Sequence, residues 1–331
     1  ALRWAVAALG AVIAARLAWD PRIVGANLGT TPVFNWLLVG YGIPALSFAG
    51  CAWLLRREPE DLPVQIAQAL ALVFAALLCF YEIRHALNGG DPFARTTTLT
   101  EDALHACMAF AFAIGTTLMT TARRSVVFSS ASLAFGVAAI ALTGFLLLFA
   151  DNPYLTRSRI EGGTLFNTLI LAYALPALLA TTLARLSIGR RPEWYRIMAA
   201  VAAIALAFAY VNLQTRAFFQ GPSRLHHKLG MLDSEFYAYS AVWLALGLAL
   251  LGYGIVRKSR EARFGSALLV FAATFKIFLF DLARLEGALR ALSFIGLGLV
   301  LIGIGLVYQK LLFRSKPAAS TAPATPPEAG G

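Results

Sequence analysis

Residues 34–46 read FNWLLVGYGIPAL, and residues 166–178 read FNTLILAYALPAL. Phe34, Asn35, Tyr41, Pro44 and Ala45 return as Phe166, Asn167, Tyr173, Pro176 and Ala177, each 132 positions on. Each phrase is an apolar run with no alternation, so it reads as a helix rather than a strand. Thr31-Pro32 and Gly163-Thr164 precede the two runs as helix-start signals. Asn35 and Asn167 can hydrogen-bond across to a neighbouring helix. Pro44 and Pro176 fall in mid-helix, where each removes a backbone bond and bends the axis.

The rest of the chain says what solvent such helices meet. Of 331 residues, 59% are hydrophobic and 14% charged, with a mean hydropathy of +0.70. A water-soluble domain cannot hide that much apolar surface, which points to a lipid bilayer. A span needs roughly 20 apolar residues in a helix. Ten segments fit: 3–19, 33–55, 63–88, 101–121, 126–150, 164–186, 194–219, 234–256, 262–280 and 288–313. The expected fold is an all-α polytopic transmembrane helical bundle. Cys51, Cys79 and Cys107 all sit in apolar runs and form no disulfide framework. The chain does not begin with Met, so a missing N-terminal portion is expected.

The links alternate in character. Arg56-Arg57, Arg123-Arg124, Arg190-Arg191 and Arg257-Lys258-Ser259-Arg260 mark one side, and polar Gly/Pro-rich links mark the other. More than half of the 28 Lys and Arg fall in the basic links and terminal segments. The positive-inside rule therefore places the basic links and both termini in the cytoplasm. The net charge of +11 is a topological signature, not a nucleic-acid footprint. The offset of 132 covers four helices. It predicts tandem parallel repeats over 1–125 and 126–258, a partial third over 259–314, and a flexible Pro/Ala tail over 315–331. Glu82-Ile-Arg84 aligns with Gln214-Thr215-Arg216, and Leu99-Thr100-Glu101-Asp102 aligns, with one insertion, with Leu232-Asp233-Ser234-Glu235.

The C-terminal stretch 275–312 carries Lys276, Asp281-Leu282, Arg290, Ser293-Phe294, Gly296, Gly298 and Tyr308-Gln309. With the Glu-Phe-Tyr-Ala-Tyr-Ser run at 235–240, it resembles the ending of bacterial predicted membrane proteins of domain-of-unknown-function family 2339. The resemblance implies a multi-pass protein of the bacterial inner membrane, the C-terminal part of a longer chain. It implies no reaction.

Candidate chemistry collects at one end of the spans. Arg16, Glu82, Arg84, Arg216 and Lys276 all lie near the expected periplasmic end, and the opposite half has almost no polar side chain within a span. Intramembrane ionisable groups are costly and face the bundle interior. Glu82, Arg84, Arg216, Lys276, Asp281, Asn35 and Asn167 are thus expected to line a polar cavity for an anionic lipid, glycan or small molecule. Snorkelling to headgroups is the competing reading for the cations. Glu82/His85 and Asp102/His105 have the carboxylate-x-x-His spacing of paired metal ligands, but two further carboxylate helices are missing, so no metal is assigned. His226, His227, Asp233 and Glu235 on the 221–235 link could supply acid/base chemistry for an envelope transferase. A third reading is a membrane scaffold. No Walker loop, nucleophile elbow, HExxH or dinucleotide fingerprint is present, and no cofactor is implied.

Overall fold

A computed structural model describes residues 2–19, 28–55, 61–122, 125–158, 160–256, 258, 260–281 and 287–312. The Arg56-Arg57 and Arg123-Arg124 links, Asp20, Arg257, Leu282 and the 315–331 tail lie outside the described residues, as do the side chains of Arg16, Arg290 and Ser293. The described residues form α1 (Leu2–Trp19), α2 (Ile43–Leu54), α3 (Leu62–Leu87), α4 (Leu99–Ala122), α5 (Val126–Leu142), α6 (Leu175–Leu186), α7 (Glu193–Gln220), α8 (Asp233–Val256), α9 (Arg260–Lys276) and α10 (Gly287–Leu312). Four π-helical segments adjoin them: Leu38–Gly42 before α2, Thr143–Ala150 after α5, Ile170–Ala174 before α6 and Ile277–Asp281 after α9. Among the described residues no strand forms, and the one β-bridge joins Gly162 to Asn167.

Among the described residues, six helical stretches are long and apolar enough to cross a membrane: Leu62–Leu87, Leu99–Thr120, Val126–Ala150, Glu193–Gln220, Asp233–Val256 and Ala262–Asp281. Leu38–Leu54 and Ile170–Leu186 are apolar but shorter. The expected starts at 33 and 164 give way for a local reason. Asn35 Oδ1 accepts the Leu37 N–H (2.8 Å) and Asn167 Oδ1 accepts the Leu169 N–H (3.0 Å). Each Asn side chain thus satisfies a donor that the first helical turn leaves open. The residues before it fold as turns instead of helix.

The two prolines do not simply bend their helices. Without an N–H, Pro44 and Pro176 cannot extend the α-ladder, and their rings crowd the carbonyl four residues back. The turn just before each widens by one residue, with the Ile43 N–H on Leu38 O and the Leu175 N–H on Ile170 O. Such π turns occur often at functional positions.

The chain divides into two compact units, Ala1–Glu235 and Phe236–Gly331. In the first, α4 is the hub and touches α3, α5 and α6. Its buried face of Ala103, Ala106, Ala109 and Ala113 is small, which lets neighbouring helices approach closely. Gly136 on α5 serves the same end, since a Cβ there would lie 1.8 Å from the Tyr195 hydroxyl. That hydroxyl is buried and donates to Ser132 O (2.8 Å). Tyr173 likewise donates to Leu147 O (2.6 Å), inside the π segment that follows α5. Large apolar side chains cover the outside, among them Leu46, Leu178, Val201 and Ile204 in this unit. Phe264, Phe271, Ile295 and Leu299 do so in the second unit. Hydrocarbon is the solvent that tolerates such a surface.

Candidate functional site

The ionisable residues singled out by sequence sit at helix ends joined by the polar links, and the first unit gathers them into two clasps. In the first clasp, Glu82 Oε2 accepts from Asn35 Nδ2 (3.0 Å) and from the Val33 backbone N–H (3.1 Å). Two residues on, Arg84 bridges Glu101 at the start of α4 (2.8 Å) and donates through Nε to Pro92 O (2.7 Å) and through Nη2 to Ala94 O. Asn88 completes the set by donating to Glu101 Oε2 (3.1 Å). The guanidinium therefore holds the 88–98 link and the next helix at once.

The second clasp uses the residues 132 positions on, except that its carboxylate, Glu235, lies 134 after Glu101. Asn167 Nδ2 donates to Gln214 Oε1 (3.2 Å), and Gln214 Nε2 donates to Thr164 O (2.6 Å). Arg216 bridges Glu235 at the start of α8 (2.8 Å) and donates to Leu225 O (2.8 Å), His226 O (3.0 Å) and Gly230 O (2.8 Å). Gln220 donates to Glu235 Oε2. Arg216 is 1% exposed and Glu235 0%, so the pair is fully desolvated. A buried charge of this kind persists only when paired and hydrogen-bonded, and both conditions are met.

The second unit has its own cluster. Lys276 Nζ meets Asp281 Oδ1 (3.0 Å), Ser240 Oγ (2.6 Å) and Phe236 O (2.9 Å), and lies over the Phe236 ring at 4.1 Å. Ser240 donates to the other Asp281 oxygen. The ligand-binding candidates thus fall into three partnered clusters: Glu82/Asn35/Arg84 and Asn167/Arg216 in the first unit, and Lys276/Asp281 in the second.

The carboxylate-x-x-His pairs do not assemble. His85 Nε2 pairs with Gly29 O (2.8 Å), and His105 Nε2 pairs with Phe80 O (3.3 Å) while its ring stacks on Phe80. Asp102 is buried and meets the Asp151 carboxyl at the end of the α5 extension. Among the described residues no group of three or more His, Cys, Asp or Glu could hold a metal ion. Glu235, a candidate acid/base, is consumed by Arg216 and Gln220. Asp233 opens α8 in its first turn.

His226 and His227 link two loops. The His227 backbone N–H (2.9 Å) and ring Nδ1–H (3.0 Å) both donate to Tyr154 O. His226 Nδ1 accepts the Lys228 N–H (3.3 Å). Desolvation, then the nearby His227, Arg157 and Lys228 charges, holds the His226 imidazolium below its ordinary range, against a hydrogen bond to the Leu155 backbone.

A cavity of about 600 Å³ opens beside the second phrase, lined by Glu161, Gly162, Phe166, Asn167, Ile170, Leu171 and Leu175. Its wall is apolar and follows the Ile170–Ala174 π turn, and its rim carries Glu161 and Asn167. The rim is a tight turn closed by Gly163 N–H to Phe166 O (2.8 Å) and Thr168 N–H to Glu161 O (3.0 Å). Gly162 has φ +104°, and a Cβ there would lie 2.5 Å from Phe166 O, so only glycine fits.

The sequence reading missed this groove, because the pairing of 161–163 with 166–168 has no helical or strand period. It also passed over polar contacts away from the clasps. Ser125 donates to Gln68 (2.7 Å), and Arg191 donates to Ser129 Oγ (2.7 Å) and Thr120 Oγ1 (3.1 Å). Thr116 and Thr117 are buried there too, donating to carbonyls of their own helix. The expectation of an almost polar-free half is corrected in that respect: the groups are mostly neutral, and hydroxyls bonded to their own helix give no apolar break in a hydropathy profile.

The family model of the predicted membrane proteins called domain of unknown function 2339 matches residues 1–311. The chain belongs to that family. No curated protein and no solved structure matches it.

Proposed function

We propose that this member of family 2339 binds or carries an envelope-related anionic lipid, glycan or small amphiphile at the periplasmic end of its helices, in the bacterial inner membrane. The observation that carries the reading is the groove beside the Ile170–Ala174 π turn. Ligand sites are concave, mainly apolar and about 300–1,000 Å³, with a few polar groups fixing orientation. The groove, about 600 Å³ and widely open to its surroundings, shares the apolar wall and the few polar groups, Glu161 and Asn167. It suits an apolar chain with its polar end at the rim. The exposed Arg157, Arg224 and Lys228 in links near α7 and α8 favour an anionic head.

The proposed architecture is ten spans with both termini cytoplasmic, in tandem parallel four-helix units over 1–125 and 126–258 and a partial unit over 259–314. Ten helices in chain order and the contacts shared by the two clasps support it. The test is to purify the chain in mild detergent and identify co-purifying amphiphiles by mass spectrometry, for wild type and Leu171→Trp. The expected result is one enriched amphiphile in wild type and at least a tenfold loss in the variant, since an indole would fill the groove. Equal retention in both, or no enrichment over bulk lipid, would overturn the reading.

One observation favours the scaffold reading instead: Arg84, Arg216 and Lys276 are all partnered within the protein. A scaffold predicts that substitutions there change stability alone and that no amphiphile is enriched.

A further inference from the structure

The clasps do not use all the positive charge at this end of the helices. Two links meet here: 151–158, which follows the α5 extension, and 221–232, which joins α7 to α8. His227 fastens them through its two bonds to Tyr154 O. The His226 and His227 rings lie 4.4 Å apart. Arg157 and Lys228 act on His226 from either link, and both are exposed. Arg157 lies three residues after Tyr154 and Lys228 directly follows His227, so the two bonds bring both exposed cations to one place. Arg216 lies close by, over the Tyr154 ring at 5.5 Å, but its own charge is matched by Glu235.

Cations drawn together repel one another, and an anion relieves that repulsion. The surroundings narrow the choice of anion. Leu155, Leu229, Met231 and Leu232 are 45–50% exposed around the cluster. The helices before and after the 221–232 link are both long and apolar enough to cross a membrane, which places the link at the bilayer surface. Cations with apolar side chains at the water–hydrocarbon boundary fit a phospholipid headgroup and the start of its chains.

We propose that Arg157, Lys228 and the His226–His227 pair form an interfacial site for the phosphate of an anionic phospholipid. The proposal rests on the reading that the protein binds an anionic amphiphile, and it adds the headgroup chemistry and its place. His227 Nδ1–H is fixed on Tyr154 O, so Nε2 is the ring atom left to face the phosphate, and it donates there when the ring is an imidazolium. Arg157 and Lys228 supply the permanent charge.

The experiment uses the full chain in mixed micelles containing either phosphatidylglycerol or phosphatidylcholine, with bound lipid counted by native mass spectrometry. Wild type should prefer phosphatidylglycerol. Arg157→Gln and Lys228→Gln should each lower that preference about fivefold, a surface cation being worth that much against an anionic lipid. Arg190→Gln, on the link between α6 and α7, should leave it unchanged. Histidine proton resonances should titrate at higher pH with phosphatidylglycerol than with phosphatidylcholine. An unchanged preference in both loop variants, or an equal drop in Arg190→Gln, would overturn the site. Displacement of the lipid by millimolar inorganic phosphate would overturn the lipid assignment in favour of a soluble phosphate. The broader reading fails separately, if wild type retains no enriched amphiphile and Leu171→Trp changes nothing.

Discussion

The two clasps of the first unit meet the same geometric demand with different chemistry. Both anchor an Asn at a helix start, place a long polar side chain across from it, and close with an Arg–Glu pair over the following link. The middle residue differs. Glu82 accepts a backbone N–H from Val33, whereas Gln214 donates to the backbone carbonyl of Thr164. Val33 can offer its N–H because it adopts φ +69°, while the second link turns at Gly162 instead. A carboxylate and an amide can thus hold one position, provided the turn opposite presents the complementary backbone group. Burial differs too: Arg84 is 12% exposed and Arg216 1%. The second clasp carries the higher electrostatic stake, and the groove opens beside it.

The largest expected effect follows from that burial. Arg216→Met strands Glu235 in an apolar setting and should cost about 3–5 kcal/mol, read from unfolding in detergent. Arg84→Met should cost less, because water reaches that guanidinium; equal losses would remove the ranking of the two clasps. Exchanging the middle residues gives a smaller effect. Gln214→Glu places a carboxylate against the Thr164 carbonyl and should cost about 1–3 kcal/mol. Glu82→Gln keeps an oxygen for the Val33 N–H and should cost about 1 kcal/mol. The reverse order would show that the backbone partners are misassigned.

Asn35→Ala and Asn167→Ala should each cost about 1 kcal/mol, as lost caps do. A much larger loss at Asn167 alone would mean that it supports the groove beyond its cap. The smallest effect is a pH difference. The His226 pKa is lowered in the folded protein, so the folded loop disfavours the proton. Protection of the His227 amide should therefore be full above the ordinary histidine range near pH 6.5 and decline as pH falls below it. In the link of the first clasp, which contains no histidine, the Phe93 N–H donates to Asp91 Oδ1 (2.9 Å), and its protection should stay flat over the same range.

Much of the frame was legible because membrane helices leave a one-dimensional record. Apolar runs marked the helices, and the repeated Phe-Asn and Tyr-x-x-Pro spacing marked where Asn35 and Asn167 would reach across, but not that each would cap its helix start, because Thr31-Pro32 and Gly163-Thr164 carry start signals earlier in the chain. The prolines announced a break, but a sequence does not distinguish a bent α-turn from a π turn. The Arg–Glu pairs were hidden by their spacing: Arg84 and Glu101 lie across a link, where no helical period joins them. Intramembrane Arg and Glu were therefore read as ligand groups. The groove escaped notice because its rim depends on the backbone of Gly162, whose role appears only when Phe166 folds back against it.

The most direct test measures unfolding and bound amphiphile on the same samples of wild type, Leu171→Trp and Arg216→Met. The clasp-and-groove account predicts that Leu171→Trp loses the amphiphile with a smaller fall in melting temperature than Arg216→Met shows. An Arg216→Met protein that melts like wild type but has lost its amphiphile would contradict the account and make Arg216 a ligand group.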